Sequence, residues 1–279
     1  MSNARGWLIL LLLGASATVS VGDQPIMNMM PRWDGGWGVQ GSFEHRHNPR
    51  LLDGRDTVNP DLSEDVFLFH LEGVYTWTKE YRMTLKIPFL LDAERETPVD
   101  PEQPLGETTT QRDSGIGDAT LSFPLKKYFN EDGRSGSWSL VPQVRIPLDH
   151  EDDEFEFFDG AWGNGVAFGY EVETTKTFFA AGTDFWTFYG DWPNEVHLHL
   201  DAGLNFLDRG QALIESDFLG ESDGSRTIMA GPAIYWRFTD VMHSRLEYKQ
   251  ALYDDQGDGR RSVDHGDTSM VKVGLGFVF

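Results

Sequence analysis

The chain contains no cysteine, which removes disulfides, thiolate metal sites and thiol nucleophiles at once. Past its first few residues it has no long apolar run, and nothing approaches the roughly 18 residues that a spanning helix requires. Positive charge is scarce: 23 Lys and Arg stand against 45 Asp and Glu, a formal charge of -22, so nucleic acid is not an expected partner. Phosphate loops and nucleotide fingerprints are missing as well. Local nucleophile chemistry is also excluded at His243 and Ser244, because neighbours on a strand point to opposite faces. These absences argue against an enzyme, and neither a cofactor nor a metal is expected.

What is present is alternation. The last nine residues, VKVGLGFVF, put Val271, Val273, Leu275, Phe277 and Phe279 on one face and Lys272, Gly274 and Gly276 on the other, the pattern of a half-apolar strand. A terminal aromatic would fray in water, but it suits a closed barrel whose ends lie at a lipid interface. The mean hydropathy of -0.40 is compatible with that reading, since only alternate residues of a barrel strand touch lipid and the loops are charged. Aromatic residues make up 13% of the chain, with 9 Trp and 19 Phe, enough for girdles at both interfaces. The amino-terminal end supplies an address: Arg5, the apolar run Trp7 to Leu13 and the small residues Gly14 to Ala17 form a secretory signal peptide. It is placed at 1–22, with cleavage after Ala17 or Gly22, followed by a periplasmic segment at 23–34 and a barrel at 35–279.

Segments of about ten residues, the length of a tilted barrel strand, recur about twelve times. The clearest outward sets are Phe67, Phe69, Leu71, Tyr75 and Trp77; Tyr81, Met83, Leu85, Ile87, Phe89 and Leu91; and Val196, Leu198, Leu200, Ala202, Leu204 and Phe206. The seventh segment, Phe178 to Tyr189, breaks phase at Trp186 and Phe188, which a bulge near Asp184 would reconcile. The ninth, Ala212 to Phe218, is weak. Long connections at Asn48 to Glu64, Asp92 to Ser114, Asp149 to Gly163 and Asp254 to Asp267 alternate with tight turns, as outer loops and periplasmic turns do. The predicted fold is all-β: a closed antiparallel transmembrane β-barrel of about twelve strands, with ten to fourteen left open.

The stretch GIGDATLSFPLKKYF at Gly115 to Phe129, then SLVPQVRIPL at Ser139 to Leu148 and GNG at Gly163 to Gly165, resembles the outer-membrane transporters named for the meta-pathway of phenol degradation. The resemblance covers about sixty residues. It departs where members show Pro-Thr-Gly, since Pro147 is followed by Leu148 and Asp149. It implies a roughly twelve-stranded barrel that passes small compounds, aromatic or hydrophobic ones among them.

Strand phase sends a mixed-sign set inward: His70, Glu72, Arg82, Lys86, Asp118, Arg145, Glu171, Glu173, His197, His199, Asp201, Arg237, His243, Arg245, Glu247, Lys249 and Lys272. A Lys or Arg facing lipid at mid-bilayer would cost about 2–4 kcal/mol, which supports the inward placement. Two readings stay open: an ion-pair network that stiffens the wall, or a filter that selects solutes. His197 and His199 share a strand face with Asp201, as alternating lumen residues do, and Asp254 to Gly259 echoes only the opening of a calcium loop. The run Glu151 to Gly160 is acidic and aromatic together. It is either a solvated outer loop or a segment that lays Phe155, Phe157 and Phe158 across the pore mouth.

The expected function is an outer-membrane channel or facilitator for small molecules in a Gram-negative bacterium, with cationic or neutral solutes favoured over anions. The alternatives are a structural or surface-interaction barrel with a closed lumen and a lipid-modifying enzyme. The expected partners are outer-membrane lipid and lipopolysaccharide, the barrel insertion machinery, which reads Phe279 as an assembly signal, and the solute. Deletion of Phe279 is expected to lower the inserted fraction, measured by heat-modifiable gel mobility of outer-membrane fractions, without changing the behaviour of the molecules that do insert.

Overall fold

A computed structural model describes residues 34–100, 103–148, 158, 160–190, 192–255 and 264–279. The signal peptide, Phe155, Phe157 and most of the calcium-like loop lie outside the described residues. The strands are β1 (Trp37–Asn48), β2 (Arg50–Asp53), β3 (Asp56–Asn59), β4 (Glu64–Thr78), β5 (Tyr81–Pro98), β6 (Thr108–Ile116), β7 (Ala119–Ser122) and β8 (Leu125–Glu131). They continue with β9 (Arg134–Ile146), β10 (Gly163–Glu173), β11 (Thr177–Phe188), β12 (Glu195–Phe206), β13 (Gly210–Glu221), β14 (Arg226–Arg237), β15 (Met242–Asp255), β16 (Asp264–Gly266) and β17 (Ser269–Val278).

Twelve walls form one closed antiparallel barrel. β6, β7 and β8 succeed one another along β5 and together make the fourth wall: Phe89 faces Ile116, Thr84 faces Ser122 and Tyr81 faces Leu125, with an irregularity in the pairing between Leu90 and Ala93. Closure is made by β1 against β17, from Gly38 opposite Val278 to His47 opposite Ser269. At the seam Trp37 N donates to Phe279 O at 2.6 Å and Phe279 N donates to Trp37 O at 2.8 Å. Outward positions carry large exposed apolar side chains on wall after wall, Phe43, Trp138 and Ile214 each at 60% exposure. So extensive an apolar girdle is incompatible with water and matches the lipid face of a membrane barrel.

The turns follow local chemistry. Asp132 and Gly133 both have positive φ, 53° and 72°, and join the paired Glu131 and Arg134 as a two-residue type I′ hairpin. Short turns share one end with the start of β1 and the end of β17, the periplasmic end in this class of barrel, and the longer connections share the other.

Three details differ from the sequence expectation. No bulge occurs near Asp184: β11 keeps continuous register with β10 from Gly163–Phe188 to Glu173–Phe178, and with β12 from Thr177–Leu204 to Trp186–Glu195. Trp186 and Phe188 therefore share the inward phase of Asp184, because aromatic residues are tolerated inside when a cation packs on them. The ninth wall is a full strand, β13, weak in sequence only because apolar Leu213 points inward, 4% exposed. The long connection after Asp92 is largely a hairpin, β5 and β6 pairing out to Pro98 opposite Thr108, favoured by the β-branched run Thr108 to Thr110. The first and last long connections meet in a small sheet of their own, ordered β16-β2-β3.

Gly231 shows how close the walls come, since a Cβ there would lie 1.9 Å from the Tyr248 carbonyl oxygen on β15. Backbone cannot yield as a side chain does. Gly231→Ala is expected to abolish most of the folded, heat-modifiable species on gels, whereas Gly73→Ala, with no atom near its Cβ position, leaves it intact.

Candidate functional site: the barrel lumen

Inward side chains replace a conventional core, and they are organised around carboxylates. Glu44 on β1 is 3% exposed. It accepts from Arg46 Nε at 2.6 Å, lies 3.0 Å from His70 Nε2 and pairs with Lys272 Nζ at 2.9 Å. Three neighbouring strands are thereby tied through one buried anion, which the low dielectric makes costly to leave alone.

A second centre spans β11 to β15. Arg245 NH2 donates to Glu215 at 2.6 Å and its Nε lies 3.2 Å from Glu247. Lys249 pairs with Asp217 and Glu247, both at 2.5 Å, and with Glu215 at 3.3 Å. His199 is clamped between Asp184 at 2.8 Å and Asp217 at 2.9 Å, and so is engaged at both ring nitrogens. Further round the wall, Glu171 accepts from Lys126 at 3.2 Å and Ser137 at 2.7 Å.

Arg145 sits near the loop end. Its guanidinium lies 5.1 Å from the Trp186 ring and 4.6 Å from the Phe188 ring, with Glu195 at 3.4 Å. His197 holds the same Glu195 at 2.8 Å. The rings are seated by glycine: Gly165 and Gly163 oppose Trp186 and Phe188 in register, and a Cβ at either would come within 2.9 Å of the facing ring.

Apolar packing narrows both ends. Toward the loops, Val66, Leu68, Leu90 and Ala93 cluster with Phe158 against them, and the Phe158 ring occupies the space over Gly117. Toward the turns, Phe178, Leu213 and Ala233 pack together. Between them lies a cavity of about 490 Å³ whose lining includes Ser42, Glu72, His199, Asp201, His243 and Lys272.

The residues expected to face inward fall into groups. His70, Glu171, His197, His199, Arg245, Glu247, Lys249 and Lys272 belong to the networks above. Glu173, at the turn end, accepts from Asn205 at 2.7 Å and Gln211 at 3.2 Å. Glu72 and Lys86 are cross-strand partners. Arg82 is 1% exposed and bonded to the Tyr128 hydroxyl and the Lys79 carbonyl. Asp118 is buried where β6 gives way to β7. Arg237 lies at the turn rim, donating to the Asp208 carbonyl at 3.1 Å. Phe158 is at the mouth, and Phe279 faces outward at 49% exposure beside the seam.

Strand alternation alone does not pick out Glu44, Lys126, Asp184, Glu195, Glu215 and Asp217, which also belong to the lumen networks. Cross-strand parity identifies them once the register is known: Glu44 opposes Lys272 on one side and Leu68 on the other, and Glu215 opposes Asp201.

No protein-family model matches the chain, and no curated protein does. Among solved structures, an outer membrane channel from Pseudomonas putida F1 superposes with a TM-score of 0.72 at 14% identity, over 92% of this chain and 100% of that one. The TodX deltaS2S3 mutant monoaromatic hydrocarbon channel gives 0.43 at 9% identity over 88% and 90% of the two chains. An anion-selective porin from Comamonas acidovorans gives 0.36 at 9% over 88% and 98%. The first of these carries the comparison, and it shows that this chain has the fold of a Gram-negative outer-membrane channel.

Removing the Glu44 carboxylate leaves Arg46, His70 and Lys272 without their shared partner. Glu44→Ala is expected to destabilise the barrel by about 3 kcal/mol, read as a lowered unfolding midpoint in detergent, and Glu44→Gln by less.

Proposed function

We propose that the barrel is a passive facilitator that carries small molecules, aromatic or hydrophobic ones among them, across the outer membrane. The observation that carries this reading is the central cavity: about 490 Å³ holds one small molecule, and its wall is ionic while the outer girdle is apolar. In a twelve-stranded barrel the lumen lies between the filled interior of eight strands and the aqueous channel of sixteen. Diffusion suffices as mechanism, with entry at the loop end, transient hydrogen bonding to lumen groups such as Arg145, His197 and Asp201, and release at the turn end. Lipopolysaccharide around the apolar girdle and recognition of Phe279 during insertion belong to the same reading.

A structural barrel with a closed lumen is the second reading, and apolar packing at both ends favours it. The two differ in one measurement. Single-channel recording of the purified protein in planar bilayers is expected to show small discrete conductances, and a barrel that passes no current under any voltage supports the closed alternative. Phe158→Ala is expected to raise the unitary conductance, because it unblocks the mouth without touching the ionic wall.

A further inference from the structure

The ionic wall of the cavity is not evenly satisfied. All four Lys and Arg side chains that line it are engaged: Lys126 with Glu171, Lys272 with Glu44, and Arg245 and Lys249 with the carboxylates of β13 and β15. Two carboxylates that line it have neither a hydrogen bond nor an ion pair among the described residues, Glu72 on β4 and Asp201 on β12. These walls stand six apart in a ring of twelve, so the acceptors face the cavity from opposite sides. Lys86 is the cross-strand neighbour of Glu72, but it does not line the cavity and forms no ion pair with Glu72.

A third group points the same way. His243 lines the cavity, is only 4% exposed, and stacks on Tyr235 with ring centroids 5.6 Å apart. Its Nε2 has no hydrogen-bond partner among the described residues. The lining therefore holds two carboxylates and an imidazole nitrogen without hydrogen-bond partners among the described residues, while its Lys and Arg side chains are already engaged. An anion entering this space meets two carboxylates that make no ion pair, and the Lys and Arg side chains on its lining are already paired. A small ammonium brings the charge and the N–H donors that the wall lacks.

We propose that the cavity is a binding station for small primary ammonium compounds, drawn to the carboxylates Glu72 and Asp201 on its opposite walls. This deepens the facilitator reading and rests on it for its role in transport. Propylammonium and propionate, matched in size, are suitable probes. Reversal potentials across planar bilayers, under gradients of propylammonium chloride and of sodium propionate, are expected to favour the ammonium over the carboxylate by on the order of tenfold. Glu72→Gln with Asp201→Asn is expected to bring the ratio close to one, and Asp201→Asn alone to an intermediate value. Glu131→Gln, on an exposed turn position, is the control. Heat-modifiable mobility verifies that each variant is folded. Titration calorimetry of the detergent-solubilised protein with propylammonium reads the station independently of permeation. Binding by the wild type that is lost in the double variant supports the station even if no current flows, which would fault only the facilitator reading. A conducting barrel that shows no ammonium binding, or whose preference survives the double variant, overturns the station and leaves the facilitator reading standing.

Discussion

Lipid offers no hydrogen bonds, and that constraint governs the architecture. A backbone amide left unpaired in hydrocarbon costs several kcal/mol, so a sheet survives there only if it has no edge. Closure of β17 on β1 is therefore a condition for the other ten walls to exist in a membrane. The seam reaches the final residue, where Trp37 and Phe279 exchange both backbone hydrogen bonds. Their aromatic rings point outward, exposed at 54% and 49%, as interface anchors do.

Closure also creates the lumen problem. Period-two alternation commits one side of every strand to lipid, so polar residues must go inward whether or not they serve a function. The chain resolves the resulting crowding by pairing: Glu44 serves Arg46, Lys272 and the His70 ring, and Lys249 serves three carboxylates. Such networks add little net stability compared with apolar packing, yet removing one member exposes the others. The exceptions, Glu72 and Asp201, stand out because the pairing elsewhere is so thorough.

Alternation was legible in the sequence wherever the two faces differ in chemistry, as in β12, where Val196 to Phe206 alternates without a break. It fails where both faces carry the same kind of residue. Glu44 precedes His45, Arg46 and His47, an all-polar run that shows no phase, and Lys126 adjoins Lys127. β13 misleads for the converse reason, since inward Leu213 belongs to the apolar packing at the turn end. Trp186 and Phe188 suggested a bulge on the assumption that a barrel aromatic faces lipid, and a guanidinium nearby is what invalidates the assumption. No single-strand pattern carries that information; it resides in the cross-strand neighbours.

The Gly163-Asn164-Gly165 motif illustrates the point from the other side. Read alone, its glycines suggest flexibility, yet neither has a positive φ. What they supply is absence of a Cβ. With Gly165 facing Trp186 and Gly163 facing Phe188, the rings lie flat against the neighbouring strand. They form a surface on which the guanidinium of Arg145, itself opposite Gly163 on the other side, is held. A side chain at either glycine would lift a ring into the lumen and displace the cation resting on it. The motif thus acts on the pore through its cross-strand partners: two missing methyl groups fix where a positive charge stands at the loop end of the lumen.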